Sequence, residues 1–122
     1  MKCMIVDDSA TMRRILVNAL KGIGYSDVVE AGDGQEALTK LTPDIGLIIT
    51  DWNMPVMGGL DLVKALRSKP GTEQLPILMV TTRSGQADIL QAVEAGVSSY
   101  ILKPFTPPVL KEKIDQVLAP VH

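Results

Sequence analysis

The chain has 122 residues, 46% hydrophobic and 21% charged, the size and balance of one soluble globular domain with no room for a second. Lys plus Arg (12) against Asp plus Glu (14) leave a net charge of −2, without the surplus of cations on which nucleic-acid binding relies. No apolar run approaches the roughly 20 residues needed to span a bilayer, and the lone Cys3 excludes an intramolecular disulfide or a cysteine-based zinc site.

The opening MKCMIVDD turns acidic directly after Val6, too early for a signal-peptide core, so a cytoplasmic location is expected. Cys3 to Val6 reads as a first strand, apolar throughout as a strand covered on both faces must be. Met12, Ile15, Leu16, Ala19, Leu20 and Ile23 then recur with the spacing of one buried helix face, which Gly22 and Gly24 end. A short strand over Val28 to Glu30 is followed by a loop bracketed by Gly32 and Gly34 and a helix over Gln35 to Leu41. Strands over Gly46 to Thr50 and Pro76 to Val80 are again apolar, with a helix over Leu60 to Arg67 between them. A helix over Ala87 to Ala95 stops at Gly96, a strand covers Ser99 to Leu102, and Leu110, Ile114, Val117 and Leu118 mark a final helix. Alternating short strands and helices of this kind build a doubly wound parallel sheet, and the flavodoxin-like order 2-1-3-4-5 is the commonest arrangement for five (βα) units.

In such a sheet ligands bind beyond the carboxyl ends of the strands. The residues there are Asp7 and Asp8 after the first strand, Asp51 after the third, Thr81 and Thr82 after the fourth, and Lys103 after the fifth. Taken singly, Asp8, Ser9 or Thr11 equally serves as a helix cap, Thr81 or Thr82 as a loop hydroxyl, and Lys103 as a solvated charge. Together they are a different matter. Strands 1 and 3 are neighbours, and carboxylates within about 5 Å repel by about 3 kcal/mol per pair at an effective dielectric of 20. A hard divalent cation with oxygen ligands neutralises them, and Mg²⁺ suits a site of a few carboxylates, water and phosphate oxygens. Zinc is not indicated, because the only histidine is His122 and Cys3 lies within a strand. Lys103 opposite the metal, with Thr81 between, leaves a place for a dianion, and Asp51 as nucleophile would then form an acyl phosphate.

The segments VDDSATMRR, TDWNMPVMGGLDLV, LMVTT and YILKPF, in this order and over essentially the whole chain, resemble the receiver domains of two-component response regulators, the CheY-like chemotaxis receivers above all. Those receivers themselves have strand order 2-1-3-4-5, so the topology expected above is partly borrowed from them. The resemblance implies that Asp51 accepts a phosphoryl group from the phosphohistidine of a CheA-like sensor histidine kinase. It implies that Asp8, Asp51 and the backbone carbonyl of Asn53 bind Mg²⁺ directly, and that Asp7 acts through a water. It further implies that Thr81 and Lys103 hold the phosphoryl oxygens, that Tyr100 is an aromatic switch residue, and that the Lys103–Pro104 bond is cis.

The expected protein is therefore a single-domain, monomeric phosphorylation switch spanning residues 1–122, with slow self-dephosphorylation as its only catalysis. Its expected partners are the kinase, a flagellar motor switch protein or another effector, and a phosphatase, with neither nucleic acid nor membrane among them. Thr81 and Lys103 pull on strands 4 and 5, so the output face is expected on helix 4, strand 5 and helix 5, with Ile89, Val93, Tyr100 and Lys113 lining or flanking it. Ile89 and Val93 equally suit the core. A receiver excised from a larger regulator and a phosphate sink are the alternatives.

Two departures from the family pattern stand out. Gly58-Gly59 replaces a frequent Asp-Gly and so removes a helix cap, and Arg83 stands where these receivers commonly carry Glu, which bears on the lifetime of the modified state. Trp52 is expected partly exposed beside the site, Met54-Pro55 a turn, Arg13-Arg14 a solvated helix face and Cys3 core. A flavin protein of the same fold would need phosphate-cradling donors where Asp7 and Asp8 stand, and more aromatics than one Trp, two Tyr and one Phe. An aspartyl-phosphate phosphatase would need an acid at position 53, which is Asn.

Overall fold

A computed structural model describes residues 1–119, so His122 lies outside the described residues. The strands β1 (Lys2–Val6), β2 (Val28–Ala31), β3 (Ile45–Thr50), β4 (Ile77–Thr81) and β5 (Ser99–Leu102) alternate with the helices α1 (Ala10–Gly22), α2 (Gly34–Lys40), α3 (Gly59–Ser68), α4 (Gln86–Ala95) and α5 (Pro107–Leu118). The strands form one parallel sheet in the order β2-β1-β3-β4-β5, as expected.

Successive strand residues point to opposite faces, and both faces are covered, which is why the central strands carry unbroken apolar runs. Met4, Val6, Ile48, Ile77 and Met79 face Leu62, Val63, Leu66 and Ala92 of α3 and α4. Cys3, Ile5, Leu47, Ile49, Leu78 and Val80 face Leu16 and Leu20 of α1 and Leu110 and Ile114 of α5. No helix among the described residues is long and apolar enough to cross a membrane.

The caps set where the helices begin and end. Ser9 caps α1, its hydroxyl accepting the Met12 N–H at 3.2 Å. Asp33 caps α2 by accepting the Glu36 N–H at 2.8 Å, while Glu36 reaches back to the Gly32 N–H, so Gly34 opens the helix instead of belonging to the loop. Gly96 ends α4 in the left-handed region at φ 115°, and the Arg67 guanidinium ties its carbonyl to α3 at 2.9 Å. Within α1 the expected stripe is too wide. Ile15 is 47% exposed because it lies one residue, about 100° of helix rotation, from the fully buried Leu16, at the rim of the buried face.

Between β3 and α3 the chain makes a tight turn in which the Met57 N–H donates to the Pro55 carbonyl at 2.7 Å. Its central residue, Val56, has φ 65° and is 85% exposed, so a β-branched side chain is held in a strained conformation with no burial in return. Replacing it should relieve that strain. Val56→Gly is expected to raise the unfolding free energy by up to about 1 kcal/mol, read as a higher urea midpoint at unchanged slope.

Candidate functional site

The parallel ladder continues one residue past the strands and brings the acids together. The Asp7 N–H donates to the Ala31 carbonyl at 3.1 Å and the Asp51 N–H to the Val6 carbonyl at 2.9 Å, so both side chains emerge at the same height of the sheet edge. Oxygens of Asp7, Asp8 and Asp51 lie within 4.8 Å of one another. Asp7 is buried, Asp51 half-buried and Asp8 exposed, so the cluster opens outward at Asp8.

Lys103 closes the other side. The Lys103 N–H donates to the Thr81 carbonyl at 2.8 Å, aligning the end of β5 with the end of β4. Its ammonium then donates to Asp7 Oδ2 at 3.1 Å and to Asp51 Oδ2 at 3.0 Å. Burial works against the charged lysine, but the hydrogen bonds and charges of Asp51 and Asp7 outweigh it and hold its pKa above the ordinary value. The remaining oxygens of these two acids accept main-chain donors, Asp7 Oδ1 from Ser9 at 2.9 Å and Asp51 Oδ1 from Trp52 at 2.6 Å. The Thr81 side chain is fully buried beside them and accepts the Arg83 N–H at 3.3 Å. The Lys103–Pro104 bond is cis.

A donor set of three carboxylates around one ammonium is acceptor-rich, and its all-oxygen character fits a hard divalent cation and does not fit a soft one. Glycine at position 59 is required by the same geometry. A Cβ there would lie 1.8 Å from the Asp51 carbonyl oxygen, so α3 approaches the backbone of Asp51 itself. Gly58 stands at the N-cap of α3 without any side-chain hydrogen bond, as its sequence implies.

Two expectations change. Trp52 is not partly exposed: it is 8% exposed and packs in the core with Met54, Met57 and Leu62. Its indole turns inward because the outer side is covered by the Arg83 guanidinium, whose carbon lies 4.6 Å from the ring centroid. Arg13 is not a solvated residue, since it donates to the Asp7 carbonyl at 2.6 Å and to Glu30 Oε1 at 3.1 Å, whereas Arg14 is exposed. The clue to Arg13 was its place one helical turn after the Ser9 cap, where a long side chain reaches back over the turn before it.

Tyr100 is half-buried against the α3–α4 side of the core, and its hydroxyl donates to the Arg83 carbonyl at 2.7 Å. Burial pushes its phenol pKa up; Asp88 and Asp51 add to the rise and Arg83 opposes it. On the α4–β5–α5 face, Val93 is 55% exposed and Leu90 58%, while Ile89 and Lys113 are half-buried. Val93 therefore belongs to the surface, and Ile89 lies between surface and core.

Residues 3–115 match the response regulator receiver domain family. The chain is 55% identical over 120 residues to chemotaxis protein CheY1 of Helicobacter pylori, covering 97% of both chains. It is 46% identical over 123 residues to chemotaxis protein CheY of Pseudomonas aeruginosa, covering 100% of this chain and 99% of that one. Among solved structures, Vibrio cholerae chemotaxis protein CheY4 superposes with a TM-score of 0.89 at 37% identity, over 96% of this chain and 98% of the other.

Lys103→Met should leave Asp7, whose side chain is 2% exposed, without its counter-charge and cost about 3 kcal/mol of stability in a denaturant titration. Adding Asp7→Asn to that variant should restore much of the loss, because the uncompensated buried charge is then gone. Gly59→Ala should cost about 2 kcal/mol or more by the same measurement, since its methyl group can be placed only by moving the Asp51 backbone.

Proposed function

The chain belongs to the response regulator receiver domain family, and on that premise we propose that it is a stand-alone CheY-like phosphorylation switch whose phosphoacceptor is Asp51. The observation that carries this reading is the meeting of Asp7, Asp8 and Asp51 with Lys103 at one sheet edge, beside the buried Thr81. In the proposed reaction a carboxylate oxygen of Asp51 attacks phosphorus in line. The nitrogen–phosphorus bond of a kinase phosphohistidine breaks, the imidazole keeps that electron pair, and an acyl phosphate forms.

Mg²⁺ is the proposed cofactor, held by Asp8, Asp51 and the main-chain carbonyl of Asn53, with Asp7 acting through a water. When bound, it supplies charge neutralisation for the phosphoryl oxygens. Lys103 and Thr81 hold those oxygens from the other side. In this role Lys103 exchanges a carboxylate partner for a phosphoryl oxygen, and Thr81 supplies a neutral donor. Hydrolysis of the acyl phosphate would be slow self-dephosphorylation, so the chain acts chiefly as a substrate of its kinase.

The output proposed is chemotaxis, in line with the names of the relatives, with a flagellar motor switch protein binding the α4–β5–α5 face and a phosphatase resetting the signal. Tyr100 is already half-buried with its hydroxyl on the Arg83 carbonyl, and closure of Thr81 on the phosphoryl group would hold it there and so fix the shape of that face. Likeness to chemotaxis proteins over nearly all of their length supports a chemotaxis switch and not a phosphate sink.

Incubation with acetyl phosphate and Mg²⁺ should add one phosphoryl group by intact mass, labile to hydroxylamine, and Asp51→Asn should add none. Full labelling of that variant would move the acceptor elsewhere. Mg²⁺ alone should change the fluorescence of Trp52, whose N–H holds Asp51, and Asp8→Ala should weaken that titration by at least about tenfold.

A further inference from the structure

Arg83, one of the two departures from the family pattern, contacts Trp52, Asn53, Thr81, Asp88 and Tyr100. Its guanidinium lies over Trp52 at 4.6 Å, donates from Nη2 to Asn53 Oδ1 at 2.9 Å, and meets Asp88 in the first turn of α4 from Nη1 at 3.5 Å. Its main chain joins Thr81 through the N–H and Tyr100 through the carbonyl. The donor Nε is buried and has no hydrogen-bond partner. A guanidinium cannot discharge itself, so an idle buried donor on it marks unused capacity for an anion.

The present bonds of this guanidinium are unequal. The stack on Trp52 and the neutral amide of Asn53 fix where it sits. Its only charged partner among the described residues, Asp88, is held by a single long contact, with the two side chains 38% and 34% exposed, a weak ion pair. The main-chain N–H of Trp52, the residue on whose ring the guanidinium rests, donates to Asp51 Oδ1, so a second negative charge gained at Asp51 arises one residue from the stack. Charge-assisted hydrogen bonds to such an anion outcompete a long, half-solvated one.

We infer that Arg83 is a positioning residue that relays the charge of Asp51 to α4, exchanging its hold on Asp88 for the new anion. The inference rests on the phosphoacceptor reading above. The free energy for the shift is the difference between Arg83's interactions in the two states, which is what any coupling between sites requires. The exchange frees the first turn of α4, which has only Gly85 as N-cap and no side-chain hydrogen bond to hold it. The Tyr100 hydroxyl is bonded to the Arg83 main-chain carbonyl, so the same residue is joined to α4 through its side chain and to β5 through its backbone.

The test follows hydrogen exchange at the Ile89 amide, which donates to the Gly85 carbonyl at 3.0 Å and closes the first turn of α4, before and after treatment with acetyl phosphate and Mg²⁺. Phosphoryl incorporation is measured in parallel by intact mass. In the wild type, phosphorylation should speed this exchange about threefold, the size expected for release of one partly exposed ion pair. In Arg83→Ala, and in the milder Asp88→Asn, exchange should already be fast before phosphorylation and rise no further after it. A phosphorylated Arg83→Ala protein that still shows the full wild-type increment overturns the relay, as does phosphorylated wild type without an increment. Failure of the wild type to take up any phosphoryl group is seen in the mass and overturns the phosphoacceptor reading itself.

Discussion

Crowding of negative charge at the carboxyl edge of the sheet is the constraint from which the rest of the molecule follows. Three carboxylates have oxygens within 4.8 Å of one another, and one ammonium, that of Lys103, stands between two of them. At these distances the repulsion is several kcal/mol, comparable to the whole stability of a domain this size. The cluster persists because the ends of three strands, β1, β3 and β5, present its members from rigid positions, and because main-chain donors from Ser9 and Trp52 absorb part of the charge. A residue of unbalanced charge is left, and it is what makes the site receptive to a cation.

The backbone near the acids is correspondingly tight. Gly59 lets α3 start against the Asp51 carbonyl, where no side chain fits, and the turn before it holds Val56 at positive φ. On the opposite side Arg13 grips the Asp7 carbonyl from α1 and reaches Glu30 of β2, tying the acid pair to the edge of the sheet. Both the positive φ of Val56 and the tightest glycine approach thus lie in the segment that follows Asp51.

Beyond the acids, a second set of polar contacts leads toward the output side. Thr81, Arg83, Asp88 and Tyr100 form a continuous set from the end of β4 to α4 and β5. The apolar residues exposed on that side, Leu90, Val93 and Leu102, are presented by the two elements to which the set connects. From the end of β4 a short run of hydrogen bonds and one ion pair thus reaches that surface, and the ion pair, long and half-solvated, is weak enough to exchange.

The parallel sheet, its strand order and the convergence of Asp7, Asp8, Asp51, Thr81 and Lys103 were legible in the sequence. Strand and helix periodicity place residues at strand ends, and in this architecture strand ends share one edge. Helix starts were less legible: Gly34 and Pro107 open helices because of the Asp33 cap in one case and tolerance of proline in the first turn in the other, both matters of local hydrogen bonding. The inward turn of Trp52, the grip of Arg13 on the Asp7 carbonyl and the web around Arg83 were not legible at all. Each depends on which of several rotamers of a long side chain finds a partner from another element, and periodicity carries no information about that choice. The sequence by itself thus determined which chemical groups meet at the sheet edge, because chain order and the two-residue period of strands suffice for that. Only the tertiary structure decided how those groups are wired to α4 and β5, because that wiring runs through contacts between residues as far apart as Asn53 and Arg83.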